Sequence, residues 1–266
     1  MAITTVDDIA SGLAEAQVIN FLKNITAPKA IGSIQSSWLA TGNPGAGATP
    51  PAYDYGSDYI CNRDTPGAFP YANAGNQNYL TKLFMMSAIG GAFILVDRLW
   101  SCSGMGYAAG TYTVTNPGDL PLRIEDYGID CELWIEQYEA AGAASGTLLA
   151  NYMNPSNVAE VGVIPAVVSA PVIGQVQPIP LDAGATGVRQ LVSVVTDATW
   201  TSGTFGMSIV KRIATIEVPY PGCGKTLDWA ALGLPMLLDN ACLALYWMGA
   251  AAEASQVLGQ LSIIDK

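Results

Sequence analysis

An all-β fold, an antiparallel β-sandwich of jelly-roll type with one N-terminal helix and a long extended loop, is what three features of this sequence predict. After Leu80 the apolar residues come in strand-length runs bounded by Gly and Pro. Between Lys29 and Tyr79 there is no periodicity, and Gly, Pro, Ala, Asn and Tyr dominate. Helical spacing is confined to the first two dozen residues. The expected organisation is therefore a helical arm over 1–24, an extended loop over 25–79 and a sandwich over 80–266.

The arm reads as a helix from about Val6 to Lys23. Thr4 or Thr5 can cap it, Asp7 and Asp8 complement its dipole, and Val6, Ile9, Leu13 and Ala16 share a face. Beyond Ala16 the stripe blurs, with Val18, Ile19, Phe21 and Leu22 apolar on more than one side. A helix apolar on several sides needs more than one covering surface, either its own domain or a neighbouring subunit.

The loop carries Trp38, Tyr53, Tyr55, Tyr59, Phe69, Tyr71 and Tyr79, with Asn43-Pro44-Gly45, Pro50-Pro51 and Thr65-Pro66-Gly67 as turns. A structureless stretch of that length is uncommon inside a compact domain and points either to function or to a wrong assignment of its elements. Rigid aromatics on irregular backbone suit docking, onto the chain's own sheet or onto something else.

The sandwich strands are expected at Leu80–Ala88, Ala92–Trp100, Thr111–Thr115, Ile129–Tyr138, Leu148–Met153, Val161–Val168, Val176–Leu181, Val188–Thr196, Phe205–Val218, Ala241–Met248 and Leu258–Ile264. The clearest alternation sets Cys131, Leu133 and Ile135 against Glu132, Trp134, Glu136 and Tyr138, so one face should pack and the other stay wet or meet a partner. Turn signals such as Ile89-Gly90-Gly91, Pro117-Gly118, Ala183-Gly184 and Ser202-Gly203 separate the strands without helical crossovers, which makes the sheets antiparallel. A short helix fits Thr226–Leu232, ending near Gly233.

Composition narrows function. Only 12% of residues are charged, against about 25% in an ordinary soluble domain, so much of the surface must be uncharged, as contact surfaces are. Net charge is −11 with 11 Lys and Arg residues and no basic cluster, so nucleic acid is not an expected partner. No apolar run is long enough to span a membrane as a helix, and the opening residues lack the pattern of a secretory signal. The five cysteines, none spaced as CxxC, read as reduced thiols filling core positions.

The chain has no histidine, which removes the commonest general base, the commonest zinc ligand and every Ser-His or Cys-His nucleophile. Glu132 and Glu136 share a predicted strand face but lie ~13 Å apart along it, beyond the ~5–9.5 Å that glycoside hydrolysis needs. Glu125, Asp126 or Asp97 could close that gap from another strand. Gly224-Lys225-Thr226 ends like a phosphate-binding loop, but Pro219 occupies the position of its first glycine, so a tight turn is expected. Asp54, Asp58, Asp64 and Asn62 lack calcium-loop spacing. No catalytic, cofactor-binding or metal-binding residue is expected.

Several stretches resemble a family of tailed-bacteriophage virion proteins from head modules. They are Leu95-Val96-Asp97-Arg98-Leu99-Trp100-Ser101-Cys102-Ser103-Gly104, Glu132-Leu133-Trp134-Ile135-Glu136-Gln137-Tyr138, Leu181-Asp182-Ala183-Gly184-Ala185-Thr186-Gly187-Val188-Arg189, and Gly233-Leu234-Pro235 with Cys242-Leu243-Ala244-Leu245. Leu13-Ala14-Glu15-Ala16-Gln17 and Trp38-Leu39-Ala40-Thr41-Gly42 belong to the same likeness. The resemblance implies a non-enzymatic, capsid-associated cement protein made in the host bacterial cytoplasm, whose partners are the major capsid protein and copies of itself, as a trimer or another symmetric oligomer. The competing roles are the major capsid protein itself, a tail receptor- or carbohydrate-binding protein using Trp134 and Tyr138, and a carboxylate-only hydrolase.

Overall fold

In the computed structural model, residues 3–55, 60–72, 77–106, 108–115, 128–143, 146–197 and 202–265 are described. They form antiparallel sheets and two helices, so the all-β sandwich expectation holds. The chain divides into two compact units, one of Met1–Gly47, Asn62–Asp97 and Ile213–Lys266, the other of Ala48–Cys61 and Arg98–Arg212. These boundaries differ from those read from the sequence, 1–24, 25–79 and 80–266. Two of the four breaks, after Asp97 and after Arg212, fall inside the long strands β5 (Gly91–Gly106) and β12 (Thr204–Val218).

In the first unit, α1 (Val6–Ala14) starts at Thr5, whose hydroxyl accepts from the Asp8 N–H while the Asp8 carboxylate accepts from the Thr5 N–H. It ends nine residues before the expected stop at Lys23. Ile9 is buried, but Val6 and Leu13 remain 67% and 41% exposed, so the anticipated apolar face is covered only in part. Residues expected to continue the helix form β1 (Gln17–Ile25) instead. Phe21, Lys23 and Ile25 point inward and Val18, Asn20 and Asn24 outward, a period of two that explains why the helical stripe blurred.

The larger sheet of this unit runs β13 (Gly224–Asp228), β4 (Asn78–Ser87), β16 (Ser255–Asp265), β1 and β3 (Thr41–Asn43), with β14 (Met236–Leu237) also on β4. Its ladder joins distant chain segments, with Gln17 opposite Ile263 and Ile25 opposite Ser255. A second sheet follows the order β2 (Ile34–Ser36), β15 (Leu243–Gly249), β5 and β12. The unit's core gathers Leu80, Leu83 and Val257 with Phe93, Leu245 and Trp247. Phe21 packs on Phe69 with ring centroids 4.4 Å apart, over Gly259, where a side chain would strike the Phe21 ring.

The described residues of 26–77 are largely irregular apart from β2 and β3, but their main aromatics serve the chain itself. Trp38, Phe69 and Tyr71 are buried in the first unit, and the Tyr71 hydroxyl donates to the Leu238 carbonyl at 3.1 Å. Tyr53, in the second unit, meets the edge of Tyr112 at 5.3 Å, whereas Tyr55 is exposed. Tyr59 lies outside the described residues. The helix anticipated near Thr226–Leu232 is α2 (Trp229–Leu232), capped by the Asp228 carboxylate and closed by Gly233 in the left-handed region.

The second unit carries the sheet order β5, β12, β7 (Cys131–Gln137), β10 (Gln175–Pro178) and the four-stranded order β6 (Gly110–Thr113), β11 (Gln190–Thr196), β8 (Leu148–Met153), β9 (Ala159–Ile164). Gly206 on β12 lies so close to the Cys102 carbonyl that no side chain fits there. The expectation for β7 fails on one face. Glu136, Trp134 and Tyr138 are buried just as Leu133 and Ile135 are, because the charge of Glu136 is neutralised within the fold.

Candidate functional site

Among the described residues, the carboxylates singled out in the sequence at Asp97, Glu132 and Glu136 are held by partners within the fold. Arg98 on β5 places its guanidinium 2.5 Å from the Glu136 carboxylate, and both side chains are out of solvent. The guanidinium also donates to the Tyr138 hydroxyl at 2.8 Å, and that hydroxyl donates to Glu136 at 3.0 Å. Burial, more than its charged neighbours, pushes the Tyr138 hydroxyl well above its usual pKa, and burial also lifts the nearby Cys102 thiol to about 12. A closed triangle of this kind ties β5 to β7.

Glu132 is equally committed. Arg212 grips it through two hydrogen bonds of 3.1 Å, and the Trp134 indole N–H donates to it at 2.9 Å. Asp97 accepts the Cys242 N–H at 2.8 Å inside the first unit. Glu125 and Asp126, the other candidates for a carboxylate pair, lie outside the described residues. Trp134 and Tyr138 are 1% and 5% exposed, so neither can stack on a sugar ring.

The Gly224-Lys225-Thr226 segment is strand, paired to Met86, Met85 and Phe84 of β4. The turn before it closes through Cys223 N–H to Tyr220 carbonyl and Gly222 N–H to Ser87 carbonyl, which spends the amides that a phosphate loop would offer. Asn62 accepts from the Asp64 N–H and the Thr65 hydroxyl in a local turn, while Asp54 belongs to the other unit and Asp58 lies outside the described residues. Among the described residues no three His, Cys, Asp or Glu side chains converge as metal ligands. Cys61, Cys102, Cys131 and Cys242 are buried free thiols, as expected, and Cys223 is an exposed one.

Among the described residues, each unit has a concavity worth weighing. The second unit has an open cleft of about 430 Å³ in which Asp130 and Glu132 face Lys211 and Arg212, a balanced set that favours neither anion nor cation. The first unit has a shallow apolar groove of about 330 Å³ bordered by Ile31, Gly91, Val218, Pro219 and Met248. Among the described residues no helix is long and apolar enough to cross a membrane.

No protein-family model and no curated protein matches the chain. Solved structures give only distant likenesses. The VP2 subviral particle of infectious bursal disease virus aligns at 9% identity and a TM-score of 0.23 over 94% of this chain and 80% of that one. The Gt strain of the same virus aligns at 9% identity and 0.19 over the same shares. The CBM22-1-GH10 modules of a Clostridium thermocellum xylanase, complexed with xylohexaose, align at 13% identity and 0.19 over 48% of this chain and 29% of that one. At such scores, viral shell protein and carbohydrate-active enzyme stand side by side and decide nothing about function. The outward face of the first-unit sheet was not foreseen from the sequence, because β1 and β13 were not recognised as strands.

Proposed function

We propose that this protein is a structural component of a virus particle, an auxiliary head protein of a tailed bacteriophage that stabilises the capsid by contacts with the major capsid protein and with copies of itself. Its work is association, not chemistry. The observation that carries this reading is where the fold puts its charge. Acidic groups such as Asp7, Asp8, Asp54, Asp64, Asp239 and Glu253 sit on α1 and on loops, and Glu136 is neutralised inside. The outward positions of the large first-unit sheet carry mostly apolar and amide side chains.

A sheet surface with few charges is inexpensive to desolvate, which suits protein contact. The resemblance of Leu95–Gly104 and Glu132–Tyr138 to phage head-module proteins supports the same reading, in which the protein is made in the bacterial cytoplasm and joins the virion. The sugar-binding alternative loses its two aromatics to the core. Cryo-electron microscopy of particles carrying the protein tests the proposal. Symmetric copies lying over the capsid lattice are the expected result. Density confined to the tail would overturn it, and density forming the continuous shell itself would make this the major capsid protein.

A further inference from the structure

The outward face of the β13-β4-β16-β1-β3 sheet is organised in cross-strand rows. Leu22, Leu258 and Met86 stand opposite one another on β1, β16 and β4, followed by Gly224 on β13. Phe84 lies against Gly224, where a side chain would meet its ring. Beside this apolar row run amide rows. The Gln260 amide donates to Asn20 at 2.9 Å and receives Lys82 at 2.9 Å, and Gln256 donates to Asn24 at 3.3 Å. Val18, at the end of β1, is 54% exposed.

We infer that this face is a self-association surface that takes a second copy of this chain, sheet against sheet. The inference deepens the proposed function and rests on it for its setting in a particle. Three arguments select a second copy. Each molecule carries a net charge of −11, so two copies repel unless they meet where acidic groups are scarce. Asp228 is the one acid on the outward positions in these rows, and its carboxylate is occupied in capping α2.

Amides and apolar side chains are also self-complementary. A twofold contact sets a patch against itself, and an amide carries both a donor and an acceptor, so it needs no partner of opposite charge. Because these amides are already bonded to one another, they are held in place and cost little to desolvate. Area gives the third argument. Three central strands of nine to eleven residues, flanked by β13 and β3, span ~600 Å² at usual strand dimensions, hence ~1,200 Å² for two copies, the lower end of a specific interface.

Sedimentation equilibrium of the full chain over a wide concentration range tests this. The wild type is expected to associate, and Leu258→Glu, at the centre of the apolar row, to raise the dissociation constant ~100-fold or more by setting like charges face to face. Val18→Glu, at an exposed position that the fold tolerates, repeats the test should Leu258→Glu fail to fold. Val161→Glu, exposed on β9 of the other unit, is expected to leave association unchanged. A wild type that stays monomeric, or folded Leu258 and Val18 variants that associate as the wild type does, overturns the inference. Particle binding separates the two claims. A monomeric wild type found on particles removes this interface and leaves the virion role, whereas association through this face with no copies in particles leaves the interface and removes the role.

Discussion

The Arg98 guanidinium and the Glu136 carboxylate lie 2.5 Å apart with both side chains fully out of water, and Tyr138 bridges them. Removing one partner leaves an uncompensated buried charge, which costs more than the pair contributes. Glu136→Leu or Arg98→Met should therefore lower unfolding free energy by about 3–5 kcal/mol. The double variant Arg98→Met, Glu136→Leu should recover most of the loss. Chemical denaturation of the four proteins as a double-mutant cycle measures the coupling.

This network also marks where sequence reading stops. The alternation through Cys131–Tyr138 located β7 to within a few residues, but alternation cannot say whether a charged face is wet or closed by an Arg from another strand. The strands rich in apolar residues, such as β4, β5, β8 and β12, were legible because period and turn residues agree. β1 was hidden because a valid capping box starts a helix just before it and because its ladder partner, β16, lies at the far end of the chain. Its inward Lys23 breaks the hydrophobic period that would have revealed it. β13 was hidden inside a turn-like Gly-Lys-Thr. The candidate interface depends on both strands, so it becomes visible only when long-range pairing is known.

Thiol reactivity follows from burial. Cys61, Cys102, Cys131 and Cys242 are shielded, and burial holds the Cys102 thiol near 12, where almost no thiolate exists at neutral pH. Cys223 sits exposed on the turn before β13. A maleimide added to the native protein at neutral pH should label Cys223 first, with the other four reacting only after denaturation. Peptide mass spectrometry of the labelled protein reads the order, and early labelling of Cys102 would mean that β5 and β12 open readily.

Gly259 faces Phe21 so closely that an added methyl would sit 2.0 Å from the ring. The ring cannot retreat freely, because it packs on Phe69. Gly259→Ala should cost about 1–3 kcal/mol through overpacking, despite Ala's advantage over Gly in a strand. Phe21→Leu in the same background should return part of that loss by vacating the space. Thermal unfolding of the single and double variants measures both, and an unchanged midpoint for Gly259→Ala would show that the core repacks around the methyl.

Lys23 should give the protein an alkaline gain in stability. Its side chain is fully buried on β1, with the amine donating to the Gly45 carbonyl at 3.0 Å and the Ala40 carbonyl at 3.3 Å. Burial away from water disfavours the ammonium and brings its pKa down from 10.5 to about 8. Below pH 8 both folded and unfolded chains hold this proton and the desolvation cost is paid in full. Between pH 8 and 10.5 the folded chain releases it first, the unfolded chain binds more protons, and stability therefore rises with pH. The rise from this residue should amount to about 2 kcal/mol between pH 8 and 10. Other groups titrate in the same window, so the quantity to follow is the difference in unfolding free energy between wild type and Lys23→Met across that range. A difference that grows in favour of the wild type confirms a buried ammonium; a flat one would mean that the amine reaches water in the folded protein.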